Sequence, residues 1–166
     1  MSEGLLVLRA VAGLVLAGHG AQKLFGWFGG YGIAGTGRFF EGLGFRPGPA
    51  FAAAAGASEF LGGLLMVIGF LGPVGPALVL ATMIVAAITV HWQHGLFATA
   101  NGIELPLLYA AVAVSLALTG PGAYSVDSAI GLSGSWTPAL AWGALAIGTV
   151  GALVNLGVRQ PAAVEA

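Results

Sequence analysis

The sequence contains no cysteine and very little charge. Its 166 residues include five Lys or Arg and six Asp or Glu, and the formal net charge is -1 at pH 7. Without cysteine the chain supplies no thiol–disulfide chemistry and no thiolate ligand for zinc or an iron–sulfur cluster. Any redox role must therefore use a bound cofactor or a partner protein. No basic cluster is present either, so nucleic acid is not expected as a partner.

Long apolar runs take up most of the chain instead. Hydrophobic residues make up 58% of the sequence and charged residues 7%, whereas soluble domains contain roughly 25% charged residues. A helix needs about 20 mostly apolar residues to cross the hydrocarbon core of a membrane. Runs near that length cover residues 4–28, 49–71, 73–92, 103–119 and 138–158. They predict an all-α, multi-pass transmembrane helical bundle, expected in the cell membrane.

The start of the chain favours a permanent membrane span over a cleaved signal peptide. Only Glu3 precedes the first run as a charged residue, and no cationic region stands before it. Between the first two runs, residues 29–48 are rich in glycine and aromatics and also contain charged side chains. Aromatic rings and long cations are both typical of the membrane interface. We therefore expect an interfacial segment there.

Polar residues inside or beside these runs are the candidate functional residues, because a charge in hydrocarbon costs at least a few kcal/mol. Comparing depth along antiparallel helices places one group in the same half of the bilayer. Its members are His19, Lys23, Glu59, His91, His94 and Glu104. Arg9 falls in the other half. Since buried cations are usually paired, we predict that Arg9 forms a structural ion pair with Asp127, in the loop after the fourth run.

Three interpretations of the larger group remain open. It could be a structural network, in which Lys23 pairs with Glu59 and a histidine pairs with Glu104. It could be a pocket for the polar headgroup of a quinone or lipid, in which the ligand-binding or proton-relay candidates are His19, Lys23, Glu59, His91 and Glu104. The third interpretation is a metal or haem site at His91, His94 and Glu104, which have suitable ligand types. That signal is weak, because the E-x-x-H pairs of di-iron bundles are missing.

Four landmarks in the sequence resemble the DoxX family of small integral membrane proteins. In chain order they are Gly18-His19-Gly20-Ala21-Gln22-Lys23 after Arg9; Glu59-Phe60-Leu61-Gly62-Gly63; Met83 to His91 ahead of Gly95; and Asn101-Gly102-Ile103-Glu104 followed by Gly120 to Asp127. The resemblance covers residues 5–130 and implies a four-helix membrane core. The family is similar to the small subunit of thiosulfate:quinone oxidoreductase, and some members are described as membrane parts of oxidoreductase complexes.

The resemblance also suggests a domain organisation. Residues 1–130 are predicted to form the DoxX-like four-helix domain, with residues 29–48 as its interfacial loop. Residues 131–166 are predicted to contain a loop, a fifth transmembrane helix and a short polar tail. This fifth run departs from the pattern of the family.

The group of polar residues and the resemblance to the family together predict an integral membrane subunit of a redox-linked complex. They also predict an intramembrane pocket for a quinone-like or other amphipathic ligand. The alternative is a non-catalytic membrane scaffold or assembly protein whose buried charges are structural. No catalytic residue is assigned, and any enzymatic role would be that of a membrane component of a quinone-linked oxidoreductase. A quinone is expected ahead of haem or a metal as cofactor. The expected partners are the lipid bilayer and either another protein or a second copy of the chain.

Overall fold

The computed structural model describes residues 2–160, and all regular structure in that range is helical. The principal helices are α1 (Ser2–Phe25), α2 (Gly32–Gly42), α3 (Gly48–Ile68), α4 (Val74–Ala86), α5 (Glu104–Thr119), α6 (Val126–Ala129) and α7 (Pro138–Gly157). The predicted all-α class is confirmed. Most of the predicted polar tail, residues 161–166, lies outside the described residues.

Among the described residues, four helical segments are long and apolar enough to cross a membrane. They are Ser2–Phe25, Gly48–Ile68, Val74–His94 and Pro138–Gly157. The third of these is α4 continued by a π-helical turn, Ala87–His91, and a 3₁₀ turn, Trp92–His94. The run 103–119 forms the shorter helix α5, with 16 residues. At 1.5 Å per residue α5 is roughly 24 Å long, somewhat less than a hydrocarbon core of about 30 Å.

Helices α1, α3, α4 and α5 form a closed four-helix bundle. Helix α1 packs most extensively against α3, α3 against α4, and α4 against α5, while α5 returns to contact α1. The buried core between them includes Leu16, Met66, Val79 and Leu116. Helix α7 lies on the flank of this bundle, where it packs mainly on α4 and less extensively on α5. The expected four-helix core with a fifth helix is therefore the architecture observed.

Glycines set the close approach of α1 to α3. A Cβ atom placed on Gly63 would lie 2.5 Å from the carbonyl oxygen of Gly13 and 2.6 Å from the backbone nitrogen of Ala17. Such short distances leave no room for a side chain, so small residues let the two backbones pack directly. This seam also fixes the relative position of side chains further along both helices. Lys23 and Glu59 are two such side chains.

Helix α2 occupies the predicted interfacial segment. It packs on α3 and contacts α1 near the end of that helix. Its Ile33 and Phe39 are exposed, as are Trp27, Phe28 and Tyr31 just before it. Exposed aromatic residues at the end of a membrane span are typical of the level of the lipid headgroups. These exposed rings agree with the interfacial position expected for residues 29–48, which stays a prediction.

The C-terminal end of α7 is attached to the connection between α2 and α3. The Arg159 side chain donates through Nε to the carbonyl oxygen of Leu43 at 2.5 Å. The backbone N–H of Gln160 donates to the carbonyl oxygen of Gly44 at 2.8 Å. Two hydrogen bonds thus link the fifth helix to the interfacial segment.

Candidate functional site

A cavity of about 300 Å³ lies at the α2 end of the bundle. Its walls come from α2, α3, α4 and α7, and Lys23 reaches it from α1. Most of the lining is apolar, and its aromatic members are Phe39, Phe40, Phe45 and Phe51. The polar members are Lys23, Ser58, Glu59, Thr82, Thr89, His91 and Asn155. Apolar walls with a few convergent polar groups are typical of sites for small organic ligands.

Lys23 and Glu59 form an ion pair at the wall of this cavity. The distance from Lys23 Nζ to Glu59 Oε2 is 2.5 Å. The Glu59 side chain is 6% exposed, whereas that of Lys23 is 24% exposed. Each charge is therefore compensated by the other in a region where an isolated charge would be costly. Together they present dipoles and hydrogen-bonding groups to the cavity without net charge.

His91 lines the same cavity and has a defined tautomer. Its Nδ1 lies 2.7 Å from the carbonyl oxygen of Asn101. Because a carbonyl oxygen can only accept, Nδ1 carries the hydrogen, and Nε2 of the neutral ring is then an acceptor. The residue ends the π-helical turn Ala87–His91. Single π-turns inside longer helices are frequent at functional sites.

Glu104 lies outside the cavity and has a local structural contact. Its Oε2 accepts a hydrogen bond from the backbone N–H of Ala98 at 2.7 Å. The histidine–Glu104 pair of the structural-network interpretation is not formed within residues 2–160, where His91 uses the backbone carbonyl of Asn101. Glu104 and His91 thus both hold the connection between α4 and α5.

His19 also lies outside the cavity. Its Nδ1 is 3.2 Å from Gln22 Oε1, and its ring meets the edge of Tyr109 on α5 with centroids 6.4 Å apart. Of the five candidate ligand-binding residues, the structure therefore brings Lys23, Glu59 and His91 to one cavity. It leaves His19 and Glu104 elsewhere on the same half of the bundle.

The weak metal alternative is not supported by the geometry. His94 directs Nδ1 to the carbonyl oxygen of Val90 at 3.0 Å, and the corresponding atom of His91 is occupied by Asn101. Glu104 is held by Ala98. Within residues 2–160, no three His, Cys, Asp or Glu side chains are arranged to hold a metal ion. His91, His94 and Glu104 are therefore engaged separately with the backbone.

Asp127 lies at the opposite end of the bundle and is completely buried. Its carboxylate accepts from the backbone N–H of Leu71 at 3.1 Å and of Gly72 at 2.8 Å. A third hydrogen bond comes from Trp136 Nε1 at 2.7 Å. This one side chain thereby joins the turn between α3 and α4 to the segment that precedes α7.

The predicted ion pair between Arg9 and Asp127 is not formed within residues 2–160, although the two residues lie near each other. Arg9 is 2% exposed, and its Nε and Nη1 have no hydrogen-bond partner in residues 2–160. Its guanidinium fills the space where a Cβ of Gly69 would lie, and the Asp127 backbone N–H donates to the Gly69 carbonyl at 3.1 Å. The Asp127 carboxylate instead accepts hydrogen bonds from two backbone N–H groups of a turn and from an indole N–H, as described above.

Asn155 on α7 is a cavity residue that the sequence analysis missed. It carries no charge, and the run that contains it was interpreted only as an added span. The available signal was a carboxamide inside an apolar run, because polar side chains in membrane helices usually face protein or a cavity. Nothing in that signal indicates which helices Asn155 faces.

This arrangement of apolar helices around a mostly apolar cavity defines a multi-pass helical membrane protein. Residues 4–92 match the DoxX family, so the chain belongs to that family. The match includes α1 to α4 and the three cavity residues Lys23, Glu59 and His91. It ends before α5 and before the fourth landmark, and it does not include α7. No curated protein and no solved structure matches the chain.

Proposed function

We propose that this protein binds a quinone-like or other amphipathic ligand in its cavity, as a subunit of a redox-linked complex in the cell membrane. The observation that carries the proposal is the apolar cavity within the helical bundle, at which Lys23, Glu59 and His91 converge. Family membership supports a membrane protein. The ligand and the complex are inferred from the chemistry of the cavity.

The polar groups of the cavity suit an uncharged headgroup. Lys23 Nζ can donate to a carbonyl oxygen, and His91 Nε2 can accept from a hydroxyl. A phosphate headgroup would require an unpaired cation, but Glu59 already compensates the charge of Lys23 at 2.5 Å. The four phenylalanines offer contacts to a ring or an alkyl chain. Quinones and quinols combine these properties.

A redox role would need help from outside this chain. With no cysteine in the sequence, electrons would come from a partner protein or a soluble substrate of that partner. Glu59 is the carboxylate placed to exchange a proton with a bound headgroup, since Glu104 lies outside the cavity. The chain itself would bind the ligand, orient it and exclude water.

Ligand binding can be measured with the purified protein in lipid nanodiscs. The probes are a short-chain benzoquinone and a short-chain naphthoquinone, with binding followed by tryptophan fluorescence and calorimetry. The double variant Lys23→Met/Glu59→Leu removes both charges together and should weaken binding about tenfold or more, since charged groups contribute roughly 1.5–3 kcal/mol per hydrogen bond. Glu104→Gln, outside the cavity, is the matched control and should bind as wild type does. Wild-type affinity in the double variant would overturn the proposal.

The scaffold alternative also has an observation in its favour. Lys23 and Glu59 contact each other directly, so the pair is satisfied without a ligand. A scaffold predicts that the wild-type protein binds neither quinone. It also predicts that the double variant, if folded, captures the same membrane partners from solubilised membranes as wild type does. Loss of partners in that variant would count against a purely structural pair.

A further inference from the structure

The fifth membrane helix forms one wall of the cavity. Gly151, Ala152 and Asn155 of α7 line it, and all three lie outside the residues that match the family. Both α3 and α7 pack on α4, but they make no extensive contact with each other within residues 2–160. A cleft therefore runs between α3 and α7, with α4 at its base. A Cβ on Gly151 would meet no atom within 4 Å, so this wall borders open space.

Asn155 differs from the other strongly polar cavity residues because it makes no short hydrogen bond within residues 2–160. Lys23 and Glu59 bind each other, and His91 binds Asn101. Within residues 2–160, the Asn155 Nδ2 has only the carbonyl oxygen of Gly151, one turn back on its own helix, at 3.5 Å. That distance is beyond the usual range of 2.7–3.2 Å for N–H···O bonds. An amide placed among apolar groups is stabilised when a ligand forms a hydrogen bond with it.

The position of Asn155 is also fixed by the structure. The hydrogen bonds from Arg159 to Leu43 and from Gln160 to Gly44 hold the end of α7, one turn beyond Asn155, against the α2–α3 connection. That connection leads to Phe45 and Phe51, which also line the cavity. The amide is thus presented to the cavity by an anchored helix end.

We infer that α7 completes the ligand site and that Asn155 binds the headgroup of the ligand. The inference rests on the proposed function and adds a residue from outside the family-matched segment. A carboxamide offers two donors and an acceptor, so Asn155 can bind a carbonyl or a hydroxyl group. The ligand enters from the bilayer through the cleft between α3 and α7. The site therefore selects a lipid-soluble ligand with an uncharged, oxygen-bearing ring.

The test uses the full-length protein in nanodiscs and the same two quinones. Asn155→Leu keeps a similar volume and removes the amide, and it should weaken binding roughly three- to tenfold, as loss of one neutral hydrogen bond does. Thr149→Val is the matched control on α7, because Thr149 donates to Leu145 within its own helix and does not line the cavity. It should leave the affinity unchanged. Gly151→Val, which fills the open wall, should also weaken binding.

The outcomes separate the two proposals. Wild-type affinity in both Asn155→Leu and Gly151→Val, with binding lost in Lys23→Met/Glu59→Leu, would overturn the role of α7 and leave the proposed function standing. Failure of the wild-type protein to bind either quinone would overturn both. Weaker binding in both α7 variants, with unchanged thermal stability and an unaffected Thr149→Val, would support the inference.

Discussion

The buried charges at the two ends of the bundle have different kinds of partners. At the end formed by the turn between α3 and α4, Asp127 is fully buried and accepts three hydrogen bonds from a turn and an indole. At the α2 end, Lys23 and Glu59 satisfy each other beside a cavity of about 300 Å³. The first arrangement uses a charge to hold chain segments together. The second leaves space next to its charges, which is what a ligand site requires.

The strongest test of this contrast is Asp127→Ala. The substitution would leave the N–H groups of Leu71 and Gly72 and the indole N–H of Trp136 without their acceptor. Each unsatisfied buried group costs about 1–3 kcal/mol, so we expect a loss of about 4 kcal/mol in stability. Thermal unfolding in detergent micelles would measure it. Asp127→Asn, which keeps an acceptor oxygen, should lose less; equal stability of Asp127→Asn and wild type would show that the charge is not needed there.

Glycine substitutions compare the packing at the two ends. Gly69 has a φ of +65°, and a Cβ there would overlap the Arg9 guanidinium. Gly69→Ala combines backbone strain with overpacking, so we expect it to destabilise the protein by about 3 kcal/mol. Gly151 borders open space, so Gly151→Ala should change stability by less than about 1 kcal/mol. Similar unfolding temperatures for the two variants would contradict the difference in packing.

A double-mutant cycle addresses the cavity end. Lys23→Met leaves Glu59, whose side chain is 6% exposed, without its hydrogen-bond partner, and we expect a loss of about 2 kcal/mol. Glu59→Leu should cost less, because Lys23 is more exposed and its long side chain can turn toward the membrane surface. The double variant should lie within about 1 kcal/mol of wild type, since apolar residues can replace a buried pair. Additive losses in the micelle unfolding assay would contradict a coupled pair.

A small and local effect is expected at Glu104. Glu104→Gln keeps an oxygen that can accept from the Ala98 N–H, so the loss in stability should be about 1 kcal/mol or less. Hydrogen exchange in residues 95–103 would show faster opening of this connection. The rest of the bundle should exchange at the wild-type rate. Global loss of protection would mean that Glu104 contributes more than a local contact.

The sequence predicted the parts of this structure that depend on length and depth. Apolar runs near 20 residues predicted the membrane helices, because the ability of a helix to cross the hydrocarbon core depends mainly on the length of its apolar run. Depth along those helices also predicted that Lys23, Glu59 and His91 lie in one half of the bundle. Partner choice was not predictable in the same way, since it depends on how each helix is rotated. Glu104 and Asn155 illustrate this, because one faces its own connection and the other faces the cavity.

The prediction for Asp127 failed for a related reason. A sequence shows the charges that are available as partners, but it does not show which backbone N–H groups a turn leaves unpaired. Here the turn at Leu71 and Gly72 presents two such groups toward the carboxylate. Arg9 packs beside Gly69 without a hydrogen-bond partner for Nε or Nη1 in the described residues 2–160. The unpaired backbone N–H groups of this turn, which composition does not reveal, determined the contacts of Asp127.

The π-helical turn Ala87–His91 gives α4 one residue that the span can lose. A π-turn holds an extra residue relative to the α-helix. Deleting one residue from 87–90 would convert this turn to regular α-helix and shorten the span by only about 1.5 Å, while the side chains after the turn would keep nearly their present directions. A deletion from a purely α-helical segment would instead rotate the following side chains by roughly 100° about the helix axis. Membrane insertion and the position of His91 should therefore both survive a single-codon deletion at this turn.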